Sequence, residues 1–322
     1  MRYLVTGGAG FIGSHLVERL VQSGAEVTVL DDLSTGRREN LRNVRDRIRF
    51  IRGNAGRLEV CRRAMQGVDY VLHHAALTSV PHSTRKPLLA NQSNVTATLN
   101  VLIAAREAEV RRVVFAGSTA AYGDAAEVPN HEGLLPRPQS VYAAAKLAGE
   151  AYCQAFWHTH GLETVVLRYF NIFGPRQNLE SQYGAVIPLF IAAALRGEPP
   201  VMFGDGAQTR DFTFVSNVVD ANLLACHAPA EQAAGGVFNI GCGMATSVRE
   251  LWDMIADLLG VEIEPIEEPA RAGDVRHSMA SIERARELLG YNPTIDMATG
   301  LARTIDYFRG RVRAPDRLRI AV

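Results

Sequence analysis

Short apolar runs alternate with longer amphipathic stretches along the first half of the chain. The runs predict strands at residues 3–5, 26–30, 48–51, 70–73, 112–116 and 164–168. The stretch after the first run predicts a helix over residues 12–22. Nearly continuous apolar strands separated by helices are typical of a parallel sheet that helices cover on both faces. The pattern therefore predicts a doubly wound parallel sheet of the α/β class.

The pattern changes beyond residue 173. A turn at 204–206 separates strand-like segments at 200–203 and 210–215, and a helix is predicted at 247–259 with a last strand at 261–263. The apolar segment 237–240 is expected to return to the large sheet. We therefore expect a large-sheet domain of residues 1–175 with return segments near 210–241. Residues 176–322 are expected to form mainly a smaller, interleaved C-terminal lobe.

The charge of the chain is balanced, with 34 Lys and Arg against 34 Asp and Glu in 322 residues. A net charge of zero disfavours nucleic acid or an acidic membrane surface as the main partner. The four cysteines form no CxxC pair, and no cluster has the spacing of a metal site. No stretch approaches the roughly 20 apolar residues that cross a bilayer. These features predict a cytoplasmic protein that holds no metal.

A glycine-rich segment, TGGAGFIG at residues 6–13, follows the first strand and opens the first helix. Gly7, Gly10 and Gly13 allow a tight turn, close approach of a pyrophosphate and close packing of helix on strand. An acidic residue, Asp31, ends the second strand 18 residues beyond Gly13. Together these features predict a Rossmann-type site for a dinucleotide, whose phosphates face the helix N-terminus.

Asp31 also indicates which dinucleotide binds. A carboxylate accepts hydrogen bonds from the ribose hydroxyls but repels a 2′-phosphate, so NAD is favoured over NADP. Arg37 and Arg38 follow nearby. They leave NADP as the alternative, because a cation at this point accommodates the extra phosphate.

Tyr142 and Lys146 stand four apart in an alanine-rich helical segment, so their side chains share one face. A phenol has a pKa of about 10, which a neighbouring ammonium and an oxidised nicotinamide would lower by stabilising the phenolate. We therefore expect Tyr142 to act as a general base near neutral pH. The spacing alone is common on ordinary helices, and the dinucleotide motif upstream is what favours catalysis.

Further motifs follow in order along nearly the whole chain. They are DDLSTG at 31–36, HAA at 74–76, Asn94, Ser118, YG at 122–123, YAAAK at 142–146, RYFNIFGPRQ at 168–177, GDG at 204–206, RDF at 210–212 and RAGD at 271–274. With the glycine segment, they make the chain resemble the extended short-chain dehydrogenases/reductases of the NAD-dependent epimerase/dehydratase type. Within that family the resemblance is to the UDP-sugar 4-epimerases.

The resemblance implies roles for individual residues. Ser118 would hydrogen-bond the reacting sugar hydroxyl, Tyr142 would take its proton, and Lys146 would hold the nicotinamide ribose. The implied cofactor contacts are Gly7, Gly10, Phe11, Ile12, Gly13, Asp31, Asp32, Ser34, Thr35, Gly36, Asn54, Ala75, Ala76, Asn94, Tyr142, Lys146 and Tyr169. The implied nucleotide-sugar contacts are Ser79, Ser118, Thr119, Asn171, Val186, Phe203, Arg210, Arg271, Asp274 and Ser278. Arginine is suited to the diphosphate, because its fork matches phosphate oxygens.

The absence of two carboxylates limits the reactions that this chain is expected to catalyse. The sugar 4,6-dehydratases of this scaffold carry Asp-Glu directly after the Ser/Thr, and decarboxylating relatives carry Glu at the second position. Here these positions are Thr119 and Ala120. The sequence therefore predicts 4-epimerisation of a nucleotide-diphosphate hexose through a transient 4-keto sugar, with NAD tightly bound. A TDP-sugar epimerase, reductase or dehydratase remains the enzymatic alternative, and an NAD-binding regulatory protein the non-enzymatic one.

Substrate choice depends on two further positions. Relatives that act on glucuronate carry Thr at the Asn171 position, so Asn171 favours an uncharged C6 group and leaves UDP-glucuronate 4-epimerisation as an alternative. Ser278 resembles the small residue that replaces a bulky Tyr in epimerases of N-acetylated sugars. We therefore expect both UDP-glucose and UDP-N-acetylglucosamine as substrates. The family also implies a homodimer, joined by helices around residues 98–105 and 147–156, and its members usually carry Asp at the Asn54 position.

Overall fold

The computed structural model describes residues 1–125, 127–178, 186–270 and 275–312. The strands are β1 (Arg2–Thr6), β2 (Glu26–Asp31), β3 (Ile48–Arg52), β4 (Tyr70–His73), β5 (Arg112–Ser118), β6 (Glu163–Tyr169), β7 (Ile172–Phe173), β8 (Val201–Phe203), β9 (Thr209–Arg210), β10 (Thr213–Phe214), β11 (Val237–Ile240), β12 (Thr246–Ser247) and β13 (Ile266–Glu268). Seven of them form one parallel sheet in the order β11-β6-β5-β4-β1-β2-β3. This arrangement confirms the predicted Rossmann-type, doubly wound α/β class.

Helices cover both faces of this sheet. In chain order, the α-helices of the described residues are α1 (Phe11–Gln22), α2 (Leu58–Ala64), α3 (Val80–Arg85), α4 (Pro87–Ala90), α5 (Ala97–Glu107), α6 (Val141–His160), α7 (Val186–Arg196), α8 (Val215–His227), α9 (Ala230–Ala233), α10 (Val248–Leu259), α11 (Glu283–Leu289) and α12 (Met297–Arg309). Leu16 of α1 and Val218 of α8 pack on one face, together with Val5 of β1. Val101 of α5 packs on the other face, together with Leu4. Neighbouring residues of a strand therefore enter different cores, which accounts for the continuous apolar runs.

The C-terminal lobe has its own apolar core between α7, α10 and α12. The rings of Phe190 and Trp252 meet edge to face there, with centroids 5.6 Å apart. Helix α10 begins at a capping box in which Ser247 and Glu250 satisfy each other's backbone N–H groups. The predicted helix over 247–259 is thus confirmed. Short strand pairs complete this part of the molecule: β7 with β10, β8 with β13, and β9 with β12.

Two sequence predictions for the second half need correction. The strand predicted at 261–263 is wrong: this segment packs against α10, where the indole N–H of Trp252 donates to the Ile263 carbonyl at 3.1 Å. Pairing starts after Pro265 as β13, because proline has no N–H for a ladder. Segment 210–215 is divided among β9, β10 and the start of α8. By contrast, segment 237–240 pairs with β6 in the large sheet, as predicted.

Candidate active site

The loop between β1 and α1 brings glycines against neighbouring backbone. Gly7 has a φ of +67°, and a Cβ there would lie 2.7 Å from the amide nitrogen of Ala75. A Cβ at Gly13 would overlap the carbonyl oxygen of Gly7. Gly10 is the N-cap of α1 and offers no side chain to the first-turn N–H groups. Those groups are therefore able to receive a pyrophosphate.

A cavity of about 1630 Å³ extends from this loop along the carboxyl ends of the strands. Most predicted cofactor residues line it, namely Gly7, Gly10, Phe11, Ile12, Gly13, Asp31, Asp32, Ser34, Thr35, Asn54, Ala75, Ala76, Tyr142, Lys146 and Tyr169, as does Ser79. Two others lie behind the lining: Gly36 against the carboxylate of Asp31, and Asn94 against the backbone of Leu77. An open helix N-terminus, a small-residue wall and an acid along one cavity fit a bound dinucleotide.

Two acids mark the part of the cavity next to β2. Asp31 is 7% exposed, and its carboxylate accepts hydrogen bonds from the N–H groups of Ala9 at 2.9 Å and Leu33 at 2.8 Å. Burial raises the pKa of Asp31, whereas these two bonds lower it. Each carboxylate oxygen accepts one of the bonds, so each retains a lone pair for a ribose hydroxyl.

Asn54 stands beside these acids in place of the usual aspartate. Its amide N–H donates to Asp32 at 3.0 Å, and its side-chain oxygen accepts from the N–H of Gly56 at 2.7 Å. The neutral amide therefore stabilises the loop without adding a third carboxylate. Of the two arginines that left NADP open, Arg38 lies over the ring of Phe50, 4.5 Å from its centroid. Arg37 lines the cavity.

The predicted catalytic residues meet where β5 ends beside α6. Tyr142 and Lys146 lie in the first turns of α6, which Ser140 caps. Ser118 is the last residue of β5, and it hydrogen-bonds the hydroxyl of Tyr142. The Nζ atom of Lys146 is buried and donates to the carbonyl oxygen of Ala116 at 2.8 Å. One strand end and one helix start thus bring a phenol, a hydroxyl and an ammonium together.

The charge states of these groups differ from the sequence-based expectation. Burial raises the pKa of Tyr142, and the hydrogen bond with Ser118 lowers it. Burial also lowers the pKa of Lys146 to about 8. The expected lowering of the phenol pKa is therefore not found in the chain alone, because the ammonium bonds Ala116 and is itself desolvated. A positively charged nicotinamide is the remaining group that would lower it.

His74 and Tyr169 form a further part of the cavity wall. Their rings stack with centroids 6.0 Å apart, and Nε2 of His74 lies 3.0 Å from the hydroxyl of Tyr169. The amide of Asn222 donates to the same hydroxyl at 2.8 Å. Burial lowers the pKa of His74 to about 3, so the imidazole is neutral and fixes Tyr169 without adding charge. Tyr169 is thereby held in one orientation beside the cofactor cavity.

The predicted nucleotide-sugar contacts are spread over both parts of the chain. Thr119 follows Ser118 in a short helical turn. Apart from Ser79, the described members of this set do not line the 1630 Å³ cavity; they are Ser118, Thr119, Asn171, Val186, Phe203, Arg210 and Ser278. Arg271 and Asp274 fall outside the described residues. The structure does bring Arg210 and Ser278 together: the carbonyl of Thr209 accepts from the Arg210 guanidinium at 2.8 Å and from the N–H of Ser278 at 3.2 Å.

The sequence analysis includes Asp211 in the RDF motif but assigns it no role, whereas in the structure it organises this part of the lobe. Its carboxylate is fully buried and accepts hydrogen bonds from the N–H groups of Cys242 at 2.7 Å, Gly243 at 2.9 Å and Ala280 at 3.2 Å. It thereby joins β9 to two loops that are distant in sequence. Other missed lining residues of the cavity come from α7, the end of α12 and the turn after it, namely Leu189, Ala192, Arg196, Tyr307, Phe308 and Arg311. No local motif marks them, because only the tertiary fold brings these helices to the cavity.

The described parts of the chain contain no group of three or more His, Cys, Asp or Glu side chains arranged to hold a metal ion. None of the helices in those parts has the length and apolar character needed to cross a bilayer.

Comparison with known proteins gives matches over most of the chain. The model of the NAD dependent epimerase/dehydratase family matches residues 3–241. The UDP-glucose 4-epimerase of Mycolicibacterium smegmatis is 40% identical over 315 residues, which cover 97% of this chain and 99% of the relative.

Solved structures give a corresponding result. A UDP-glucose 4-epimerase from Thermotoga maritima, crystallised with UDP-glucose, has a TM-score of 0.92 at 38% identity and covers 97% of this chain and 100% of its own. A UDP-N-acetylglucosamine 4-epimerase from Methanobrevibacter ruminantium, in complex with UDP-N-acetylmuramic acid, has a TM-score of 0.91 at 39% identity and covers 96% and 98%. With the glycine loop, the acid after β2 and the Ser-Tyr-Lys group, these matches show that the chain belongs to the NAD-dependent epimerase/dehydratase family.

Proposed function

We propose that this protein is a nucleotide-sugar 4-epimerase that works with tightly bound NAD. The proposal is carried by the meeting of Ser118, Tyr142 and Lys146 at the end of β5, with Thr119 and Ala120 directly beside them. Neither Thr119 nor Ala120 has a carboxylate, so these positions supply no second base for elimination or decarboxylation. Similarity to UDP-sugar 4-epimerases over nearly the whole chain supports the same reaction.

In this mechanism Tyr142, as phenolate, accepts the proton of the sugar 4-hydroxyl, and Ser118 hydrogen-bonds the same oxygen. NAD, held by the residues that line the cavity, would supply a reversible acceptor for the C4 hydride, which would allow a 4-keto sugar to form and to regain the hydride on its other face. Tyr142 then returns its proton to the new hydroxyl. Lys146 holds the nicotinamide ribose. The net redox change is zero, so turnover needs no exchange of cofactor.

We further propose that the hexose has an uncharged C6 group and that UDP-glucose and UDP-N-acetylglucosamine are both substrates. Asn171 supports the first part, because relatives that act on glucuronate carry Thr at this position. Ser278 supports the second part: it is small, and its N–H is held by the Thr209 carbonyl next to Arg210. The similar proteins described above include an epimerase named for each sugar.

Proton NMR of the purified protein tests this proposal. UDP-glucose, UDP-N-acetylglucosamine, UDP-glucuronate and TDP-glucose are incubated separately, with no cofactor added. We expect a new anomeric signal of the 4-epimer with the first two sugars and none with the glucuronate. Loss of water detected by mass would indicate a dehydratase. In a parallel incubation to which NAD(P)H is added, its consumption would indicate a reductase. A protein that retains NAD and leaves all four sugars unchanged would overturn the proposed activity.

A further inference from the structure

A chain of buried hydrogen bonds lies behind the wall of the cofactor cavity. The hydroxyl of Thr6 lies 2.7 Å from Nδ1 of His73, and Nε2 of His73 lies 3.1 Å from the hydroxyl of Thr98. The Thr98 hydroxyl donates to the carbonyl oxygen of Asn94 at 2.6 Å. Each of these four residues is at most 2% exposed. This series of hydrogen bonds therefore links the end of β1, the end of β4 and the start of α5 in a region that water does not reach.

Hydrogen-bond valence fixes the direction of this chain. The single hydroxyl proton of Thr98 is committed to Asn94, so the Thr98 oxygen must accept a hydrogen bond from the Nε2–H of His73. A neutral imidazole then has a bare Nδ1, which accepts from the hydroxyl of Thr6. Burial, followed by the charge of Lys146, lowers the pKa of His73 to about 3, which keeps this ring neutral at physiological pH.

Thr6 and Asn94, at the two ends of this series of hydrogen bonds, hold the backbone that lines the cavity. The Thr6 oxygen also accepts from the N–H groups of His74 at 3.2 Å and Ala75 at 3.1 Å. The Asn94 side chain accepts from the N–H of Leu77 at 2.7 Å and donates to its carbonyl at 3.0 Å. Residues 74–77, which all line the cavity, are thus fixed at two points. Their position matters because Ala75 approaches Gly7 too closely for any side chain there.

Local geometry supports this role for Asn94. It lies in the six-residue π-helical segment Asn91–Thr96, which leads directly into α5. Such segments are rare and recur at functional sites, because the wider turn re-aims a side chain. Here the Asn94 side chain hydrogen-bonds the backbone of Leu77, so it holds a lining residue in place without lining the cavity itself.

We propose that His73 and Thr98 are positioning residues that hold the wall formed by residues 74–77 at the distance from the glycine loop that NAD binding requires. Neither residue lines the cofactor cavity, and both act through Thr6 and Asn94. The proposal rests on NAD binding in this cavity and not on the identity of the sugar.

A threonine elsewhere in the chain provides a matched control. Thr304 in α12 is fully buried and donates to the carbonyl of Gly300, four residues earlier, at 2.7 Å. Thr98 makes the same kind of bond to Asn94 at 2.6 Å and, in addition, accepts from His73. Thr98→Val and Thr304→Val therefore remove the same helical bond, but only the first leaves the His73 N–H unpaired.

The test measures NAD retained per chain after dialysis and the NAD concentration that gives half-maximal turnover. We expect Thr98→Val to weaken NAD binding by about tenfold or more, since a buried donor is left without a partner. At saturating NAD its kcat should return to within about threefold of the parent, because the reacting groups are untouched. Thr98→Ser, which restores the hydroxyl, and Thr304→Val should both retain NAD like the parent.

The proposal is overturned if Thr98→Val retains NAD as Thr304→Val does, or if Thr98→Ser loses as much NAD as Thr98→Val. If Thr98→Val does not fold, Thr98→Ala and Thr98→Ser decide the question, because they differ only in the hydroxyl. A parent protein that binds NAD but epimerises no sugar would overturn the proposed function and leave this test intact. A parent protein that binds no NAD would overturn the inference itself.

Discussion

At the residue scale, the surroundings of Tyr142 within the protein alone do not favour its phenolate form. Burial raises the pKa of Tyr142, and Lys146, one helical turn away, has a pKa lowered to about 8 and bonds a backbone carbonyl. The protein alone therefore holds a neutral phenol, which is a weak base. In the proposed mechanism, a bound positive nicotinamide would stabilise the phenolate, so that Tyr142 would become an effective base only in the NAD-bound protein.

Replacement of Tyr142 by Phe tests this arrangement. The variant keeps the ring and loses the group that takes the proton, so kcat should fall by about 10²-fold or more. NAD content after purification should stay like that of the parent, because the hydroxyl is one of many groups around the cavity. Steady-state kinetics and cofactor extraction measure the two effects. A variant that keeps a tenth of the parent activity would exclude Tyr142 as the base.

Lys146 gives a prediction for stability against pH. Its pKa is about 8 in the folded chain and near the usual 10.5 when unfolded, so the unfolded chain binds more protons between these values. The Lys146 contribution to folding stability must therefore rise with pH across that window. Lys146→Met removes this contribution.

The stability difference between Lys146→Met and the cofactor-free parent should accordingly favour methionine most at pH 7 and shrink toward pH 10. Urea unfolding at several pH values measures it. A difference that does not change with pH would mean that the ammonium of Lys146 is not desolvated.

At the element scale, most correct sequence predictions rest on local signals, although the return of segment 237–240 to the large sheet is also predicted correctly. The turn from β1 into α1 is encoded by adjacent residues, and Gly7, Gly10 and Gly13 lie in this turn and at the start of α1, as their spacing in the sequence predicts. The strand at 261–263 is predicted from apolar character, and it fails because the segment packs against Trp252 before Pro265. The helices α7 and α12 reach the cavity through tertiary packing, which no short motif records.

Gly13→Ala tests the glycine loop. Its Cβ would overlap the carbonyl of Gly7, so the loop must move and the phosphate site with it. We expect loss of most retained NAD and a lower unfolding temperature. Gly310→Ala is the matched control, because a Cβ there meets nothing within 4 Å and the backbone has an ordinary φ of −88°. Equal NAD retention by the two variants would contradict the assigned role of Gly13.

The segment around Ser278 carries the prediction on substrate choice. This side chain is buried, and its backbone is tied to β9 beside Arg210. Ser278→Tyr should reduce kcat/KM for UDP-N-acetylglucosamine by about tenfold or more, because a bulky ring competes with the acetyl group, while UDP-glucose is little affected. NMR rates with each sugar measure the ratio. If acetylated-substrate turnover is unchanged, Ser278 does not control access.

At the scale of the whole molecule, the C-terminal lobe packs against helix α1, whose first turn borders the cavity. Phe11 and Ile12 of α1 pack against the core of the lobe. The carboxylate of Glu18 on the same helix pairs with Arg176 at 2.5 Å, and His15 contacts the carbonyl of Pro175 at 2.9 Å. A ligand at the first turn of α1 and the side chains of the lobe would therefore both contact the same helix. Bound NAD should stabilise both parts of the chain together.

Association of two copies is also predicted at this scale. Of the two segments expected at the dimer interface, 98–105 lies in α5 and is mostly buried, whereas 147–156 lies in α6 and exposes Tyr152. The neighbouring helices α3 and α4 expose Val80 and Leu88, with Leu88 at 86% exposure. Apolar side chains grouped on a surface favour burial in an interface. We expect a dimer by light scattering, and half that mass for a Leu88→Glu, Tyr152→Glu variant. Leu258→Glu on α10 serves as the control. A monomeric parent protein would contradict the family-based expectation of a homodimer.

The position of β11 has a consequence for the synthesis of the chain. The edge of β6 has no strand beside it until residues 237–240 are made, about 70 residues after β6 itself. A nascent chain that stops before this point presents an unpaired hydrogen-bonding edge, and such edges recruit other chains. A fragment cut at residue 175 should therefore aggregate on expression. A fragment meant to preserve the cofactor site must extend past residue 240, and it then carries several elements of the C-terminal lobe as well.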